Sequence, residues 1–131
     1  MNINRLDHLV LTVRSVEATC NFYADVLGME VITFGDDRKA LKFGNQKINL
    51  HQHSHEIDPK ATQPTPGSAD LCFITDTPVN MVIDELNNKK IHIITGPVER
   101  TGATGKIKSV YFRDPDGNLV EVSEYLKEKD L

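Results

Sequence analysis

Leu9, Leu11 and Val13 alternate with His8, Val10 and Thr12, the two-residue period of a β-strand. The period then lengthens. Val16, Thr19, Cys20, Tyr23 and Leu27 recur at helical spacing, with Ser15 placed as N-cap and Gly28 placed to end the helix at C′. Three strand-like runs follow: MEVITF (29–34), KALKF (39–43) and KINLHQH (47–53), divided by the polar turns Asp36-Asp37 and Gly44-Asn45. Residues 54–68 are polar and Pro-rich, have no periodicity and read as a linker. The order then begins again. DLCFIT (70–75) is a short strand, Thr77 is a candidate helix cap and Pro78 suits the first helical position. Val79, Val82, Ile83 and Leu86 form the buried stripe, and Asn87-Asn88 ends it. IHIIT (91–95) is the next expected strand and residues 96–105 an expected Gly-rich loop. IKSVYF (107–112) and NLVEVSEY (118–125) complete the set, joined by the turn chemistry of Asp-Pro-Asp-Gly.

The chain thus predicts two βαβββ modules, at about 4–53 and 69–126, within one domain over residues 1–131. One such module covers only one face of its sheet. Two of them side by side predict an α+β fold: a curved mixed sheet around a cleft, with the helices on the outer face. Strand parity then divides the side chains. Leu9, Leu11, Val13, Ile48, Leu50, Leu71, Phe73, Val120 and Val122 take the helix side. His8, Asn49, His51, Asp70, Cys72, Glu121 and Ser123 are left for the cleft. In the repeat, His8 corresponds to Asp70 and Asn49 to Glu121.

Composition narrows the partners. With 15 basic and 19 acidic residues the net charge is -4, and Lys89-Lys90 is the nearest thing to a basic patch. No stripe of positive charge meets a nucleic-acid backbone, so none is expected as partner. The opening MNINRLDHLVLTV lacks the apolar core of a signal peptide, and no run approaches the ~20 apolar residues of a membrane span. A cytoplasmic protein is expected. Cys20 and Cys72 lie outside any CxxC pattern and are expected to remain thiols.

Glu121 poses the chemical question, because it stands between two core valines. A carboxylate withdrawn from water needs a cation or hydrogen-bond donors. His8, His51, Asp70 and Glu121 come from four strands to one expected cavity, and imidazole with carboxylate is the donor set of Zn, Ni, Mn or Fe(II). Each also has a plain structural reading. Glu121 can face solvent, His8 can be a hydrogen-bonded strand residue, His51 can belong to a polar strand exit, and Asp70 can cap a turn. His53 and His55 read as solvated linker residues. Arg100 is a candidate clamp for an anionic substrate group, or a solvated loop cation. Tyr111 is a candidate hydroxyl donor, or a structural tyrosine.

The stretches LDHLVLTV, FYADVLGMEV and FRDPDGNLVEV resemble the vicinal-oxygen-chelate superfamily of glyoxalases, bleomycin- and fosfomycin-resistance proteins and extradiol dioxygenases. RKALKFGNQKINLH and GPVERTGATG resemble a glyoxalase-domain subgroup that includes virulence-associated proteins of enteric bacteria. The resemblance implies paired βαβββ modules, a divalent metal, a homodimer and a small-molecule substrate. It matches His8 to the family's first-strand histidine and Glu121 to its last-strand glutamate. It places Asp70 where a second histidine is usual, and Asn49 at the fourth-ligand position. These departures from the glyoxalase I pattern leave His51 as a replacement fourth ligand. The implied function is a metal-dependent lyase or isomerase that chelates adjacent oxygens; Glu121 is expected to move the proton, and Asn49, Arg100 and Tyr111 are the expected substrate contacts. The alternatives are metal-independent sequestration of a small molecule and dioxygenase chemistry.

Overall fold

The computed structural model describes residues 1–130; Leu131, the last position of the expected domain, lies outside the described residues. The chain divides into two compact units, Met1–Ser68 and a second beginning at Ala69. In the first, β1 (His8–Val13), α1 (Val16–Leu27), β2 (Glu30–Phe34), β3 (Arg38–Phe43) and β4 (Gln46–Gln52) follow in order. Their sheet order is β1-β4-β3-β2, with β1 parallel to β4 and the other pairs antiparallel. Ser15 Oγ accepts the Ala18 amide at 3.1 Å, and Gly28 closes α1 in the left-handed region at φ 67°. Thr19, Cys20 and Tyr23 form the buried face of α1. Leu11, Val13, Leu41, Ile48 and Leu50 are buried strand residues of the same unit. Gln52 ties the start of the helix down: its Oε1 accepts the Val16 amide and its Nε2 donates to the Arg14 carbonyl.

The second unit repeats this plan with β5 (Asp70–Ile74), α2 (Val79–Asn88), β6 (Thr95–Thr101), β7 (Lys106–Arg113) and β8 (Leu119–Tyr125), then a short 3-10 turn at Glu128–Asp130. The order is β5-β8-β7-β6, again with a parallel pair, β5 with β8, followed by antiparallel ones. Val79, Val82, Leu86, Val110, Phe112, Val120 and Val122 are buried. The Asp-Pro-Asp-Gly turn is held by Asp114. Its Oδ1 accepts the amides of Asp116 and Asn118, and its Oδ2 accepts Asn118 Nδ2 at 2.8 Å. Asn118 Oδ1 in turn accepts the Ala69 amide, which docks the entry of β5 beside the entry of β8. Among the described residues, no helix is long and apolar enough to cross a membrane.

Three expectations change. Thr77 does not cap α2; its amide instead donates to Thr75 Oγ1. The first helical amide, Val79 N–H, is taken by Glu124 Oε1 from the end of β8 at 3.0 Å, so a distant carboxylate serves as the cap. The expected strand at 91–95 is irregular up to Ile94, and the expected loop at 96–105 contains β6 instead. β6 passes through Gly96-Pro97 by a register shift between Thr95 and Val98. Gly96 holds φ 130°, and a Cβ there would lie 2.7 Å from the Ser109 carbonyl and 2.8 Å from Val110 Cα. The bulge therefore depends on glycine. Arg100 is in consequence a strand residue, paired in register with Ile107, and not a loop cation.

Gly96→Ala is expected to destabilise the protein by at least about 2 kcal/mol, from backbone strain and overlap combined. Glu124→Ala is expected to cost about 1 kcal/mol through the lost cap, and Thr77→Ala well under half of that. Urea unfolding of the three variants checks the ranking.

Candidate active site

In each unit the alternate strand residues point away from the helix. On this face of the second unit Cys72 stands beside Glu121, and Tyr111 stands opposite it across the β7–β8 pair. Asp70 is beside Leu119, one step of the face away from Glu121. Arg100 approaches from β6, and its Nε donates to Tyr111 Oη at 3.3 Å, with the guanidinium carbon 5.7 Å from the ring centre. Cys72, Arg100, Ile107, Tyr111, Glu121 and Tyr125 line a cavity of about 420 Å³. The two candidate substrate contacts, Arg100 and Tyr111, thus share one cavity with Glu121.

Glu121 is oriented from beneath. Ser123 Oγ donates to Glu121 Oε2 at 3.3 Å, and Ser109 Oγ lies 2.6 Å from Ser123 Oγ. A hydroxyl has one proton. If Ser123 gives its proton to Glu121, Ser109 must donate to Ser123, so two fully buried serines form a directed chain ending on the carboxylate. Cys72 Sγ also lies 3.4 Å from Ser123 Oγ. Burial raises the Cys72 thiol above its ordinary pKa, and Glu121 adds to this against the Ser123 hydrogen bond. Burial likewise raises Tyr111, with Glu121 adding and Arg100 opposing. Near neutral pH both therefore remain protonated donors facing Glu121.

On the corresponding face of the first unit His8 stands beside Lys47, Val10 beside Asn49 and Thr12 beside His51. Asn49 thus occupies in its module the place Glu121 holds in the other: Val10 with Asn49 matches Cys72 with Glu121. His8 is exposed, and its Nδ1 is 2.8 Å from Asp7 Oδ2, which leaves Nε2 to meet a ligand. The partnership lowers the Asp7 pKa, the hydrogen bond to His8 being the main cause. Lys47 is turned aside, its Nζ lying 3.9 Å from the centre of the Phe34 ring. Asn49 is buried, and its Oδ1 has no hydrogen-bond partner. His51 is buried too, four register positions from His8. At roughly 3.3 Å per residue that is about 13 Å, beyond the span of two imidazoles on one ion. His51 therefore does not join His8 as the replacement ligand. Among the described residues, no group of three or more His, Cys, Asp or Glu side chains is placed to hold a metal ion.

Parity placed Cys72 and Ser123 on the cavity side, but gave no sign that Ser123 orients Glu121. Tyr125, two residues further along β8, was open to the same argument. Its hydroxyl accepts the Thr104 amide at 3.2 Å, which ties the β6–β7 turn to the cavity wall and lowers the phenol's pKa.

The fold agrees with comparison to known proteins. Residues 5–122 match the Glyoxalase/Bleomycin resistance protein/Dioxygenase superfamily, and the chain belongs to this superfamily. It is 61% identical over 126 residues to Virulence protein STM3117 of Salmonella typhimurium, covering 96% of this chain and 88% of that one. The crystal structure of that relative superimposes with a TM-score of 0.95, covering 96% of this chain and 100% of the other. The glyoxalase domain-containing protein RDO1 of Mycosarcoma maydis is 50% identical, over 95% of this chain and 70% of its own length. A lactoylglutathione lyase of Agrobacterium tumefaciens has 25% identity and a TM-score of 0.72, covering 95% of this chain and 96% of its own. Members of the superfamily thus include glyoxalases, metallothiol transferases and dioxygenases, and they act on or bind small molecules.

Burial is the main cause that lowers the His51 pKa; Arg38 and Lys60 add to it, and Glu56 opposes. The unfolded chain then binds the proton more readily than the folded one. This contribution to stability is complete above the ordinary histidine value of about 6.5 and is lost as pH falls through the lower folded value. Stability measured by denaturant between pH 7.5 and 5 is expected to decline, and His51→Gln is expected to flatten that decline.

Proposed function

We propose that this protein is a divalent-metal-dependent enzyme of glyoxalase-like type, acting on a small substrate with two adjacent oxygens. The observation that carries the reading is Glu121, a hydrogen-bonded carboxylate on the wall of a 420 Å³ cavity, faced by the Tyr111 hydroxyl with Arg100 beside it. His8, Asp70 and Glu121 would hold the metal, with the Asn49 amide oxygen as fourth donor. The donor chemistry fits a borderline ion such as Zn, Ni, Mn or Fe(II). His8 has one ring nitrogen fixed by Asp7, Asn49 presents an unpartnered oxygen, and Ser123 takes only one oxygen of Glu121. Bound there, the metal supplies Lewis acidity at the two substrate oxygens.

The chain's own residues supply the rest. Glu121 accepts the substrate's proton and returns it to the neighbouring carbon. The Ser109–Ser123 chain holds the Glu121 carboxylate during that transfer. Tyr111 donates a hydrogen bond to a substrate oxygen that gains charge. Arg100 Nη1 is engaged by the Glu99 carbonyl, which leaves Nη2 to pair with an anionic substrate group. The same reading takes the working protein to be a cytoplasmic homodimer.

Elemental analysis and proton exchange test this together. The purified protein is expected to carry one transition-metal ion per chain, and His8→Ala to lose it. With dihydroxyacetone in D2O, wild type is expected to exchange the proton next to the carbonyl, and Glu121→Gln to slow this by about 10²-fold or more. Tyr111→Phe is expected to slow it less. A metal-free protein that binds a small molecule without exchanging its protons would replace the enzyme reading with sequestration.

A further inference from the structure

The cations carried by β3 and β4 of the first unit are Arg38, Lys39, Lys42 and Lys47, and they are not partnered alike. Lys39 Nζ donates to Thr33 Oγ1 at 2.7 Å and lies 3.6 Å from Asp37 Oδ1. Lys42 Nζ donates to the Gly44 carbonyl at 3.0 Å, and Lys42 pairs in register with Glu30. Arg38 and Lys47 meet a ring instead. The Arg38 guanidinium carbon lies over the Phe34 ring, 4.8 Å from its centre, and Lys47 Nζ lies over the same ring at 3.9 Å. Phe34 and Arg38 stand opposite each other across the β2–β3 pair, while Lys47 reaches the ring from β4, across the width of β3. All three residues are half-buried. Among the described residues, no carboxylate lies within ion-pair distance of Arg38 or Lys47, and Arg38 Nε is buried with no hydrogen-bond partner. Asp7, just before β1, is held by His8.

The face of a ring attracts a cation but carries no net charge, so Phe34 holds two positive charges together without cancelling either. Like charges gathered at one ring repel, and partial burial removes some of the water that would screen them. Two neighbouring positive charges are matched by a dianion. A carboxylate brings one negative charge. A phosphoryl group brings close to two near neutral pH, with three acceptor oxygens to divide between a guanidinium and an ammonium. A divalent metal would be repelled by both cations.

We propose that Arg38 and Lys47, held on Phe34, form a subsite for a phosphoryl group, either free phosphate or the phosphate end of a small molecule. The terminal nitrogens of Arg38 and the Lys47 ammonium donate to the phosphoryl oxygens, and Phe34 keeps the two cations together against their repulsion. No residue given a part in the proposed chemistry belongs to this subsite. Lys47 is nevertheless the register partner of His8, so phosphate bound here is distinguished by variants from phosphate bound to a metal at His8.

The Arg38 Nε–H resonance tests this. Burial shields that proton from exchange with water, and the resonance is identified by its loss in Arg38→Lys. The protein as purified is titrated with inorganic phosphate, glycerol phosphate and acetate at matched ionic strength. Phosphate or glycerol phosphate is expected to give a saturable shift, and acetate to bind about tenfold or more weakly. Lys47→Gln is expected to weaken the phosphoryl probe about tenfold or more, and Lys47→Arg to retain it. Acetate binding as tightly as the phosphoryl probes would make this a site for a single negative charge and overturn the proposal. Phosphate binding that survives in Lys47→Gln but is lost in His8→Ala would place the ion on a metal and also overturn it. So would the failure of both phosphoryl probes to saturate in folded wild type. The comparison of probes uses wild type alone, so it stands even where a variant misfolds. Because binding is read instead of turnover, failure here leaves the metal-enzyme reading standing, and the reverse also holds.

Discussion

Everything in either module depends on the parallel pairing of its first strand with its last. β1 lies against β4 and β5 against β8, with β1 and β5 at the edges of their own four-stranded sheets. A parallel partner cannot be reached by a hairpin, so the chain must cross over, and the helix makes that crossing. The helix then covers one face with an apolar stripe. Because side chains alternate, the same register that buries Ile48 and Val120 turns Asn49 and Glu121 the other way. A slip of one residue would exchange the two sets, which core burial forbids.

The repeat keeps this scaffold and changes what it carries. Where the first module has the Asn49 amide, the second has the Glu121 carboxylate; where the first has His51, the second has Ser123. These exchanges give the faces different chemistry. A short serine beneath Glu121 leaves room for a second serine, and the two hydroxyls point a proton toward the carboxylate. The matching place in the first module holds the buried His51 imidazole, whose pKa is lowered mainly by that burial. One module thus presents a carboxylate on a cavity wall, and the other a buried amide and a buried imidazole, Asn49 and His51.

Local signals marked most elements well. Ser15 and Gly28 bracket α1 because capping chemistry involves neighbours only a few residues away. The one displaced strand shows where such signals stop. Gly and Pro at 96 and 97 read as loop residues, yet a strand runs through them, because the bulge lets the backbone lie close against Ser109 and Val110. That proximity belongs to the partner strand and is invisible in the local pattern. The cap of α2 is a similar case: Glu124 is far along the chain from Val79, and only the folded sheet end brings them together.

The sequence by itself settled the module plan, the division of strand residues between core and helix-free face, and the membership of His8, Asn49, His51, Asp70 and Glu121 in the second set. Periods of two and 3.6 residues are short-range properties, written directly in the order of side chains. The tertiary structure decided which of those residues are neighbours. It set His51 about 13 Å from His8 by strand rise, brought Arg100 onto Tyr111, and put two serines under Glu121. Distances across a sheet depend on register between strands far apart in the chain, and register is fixed by the packing of the whole core.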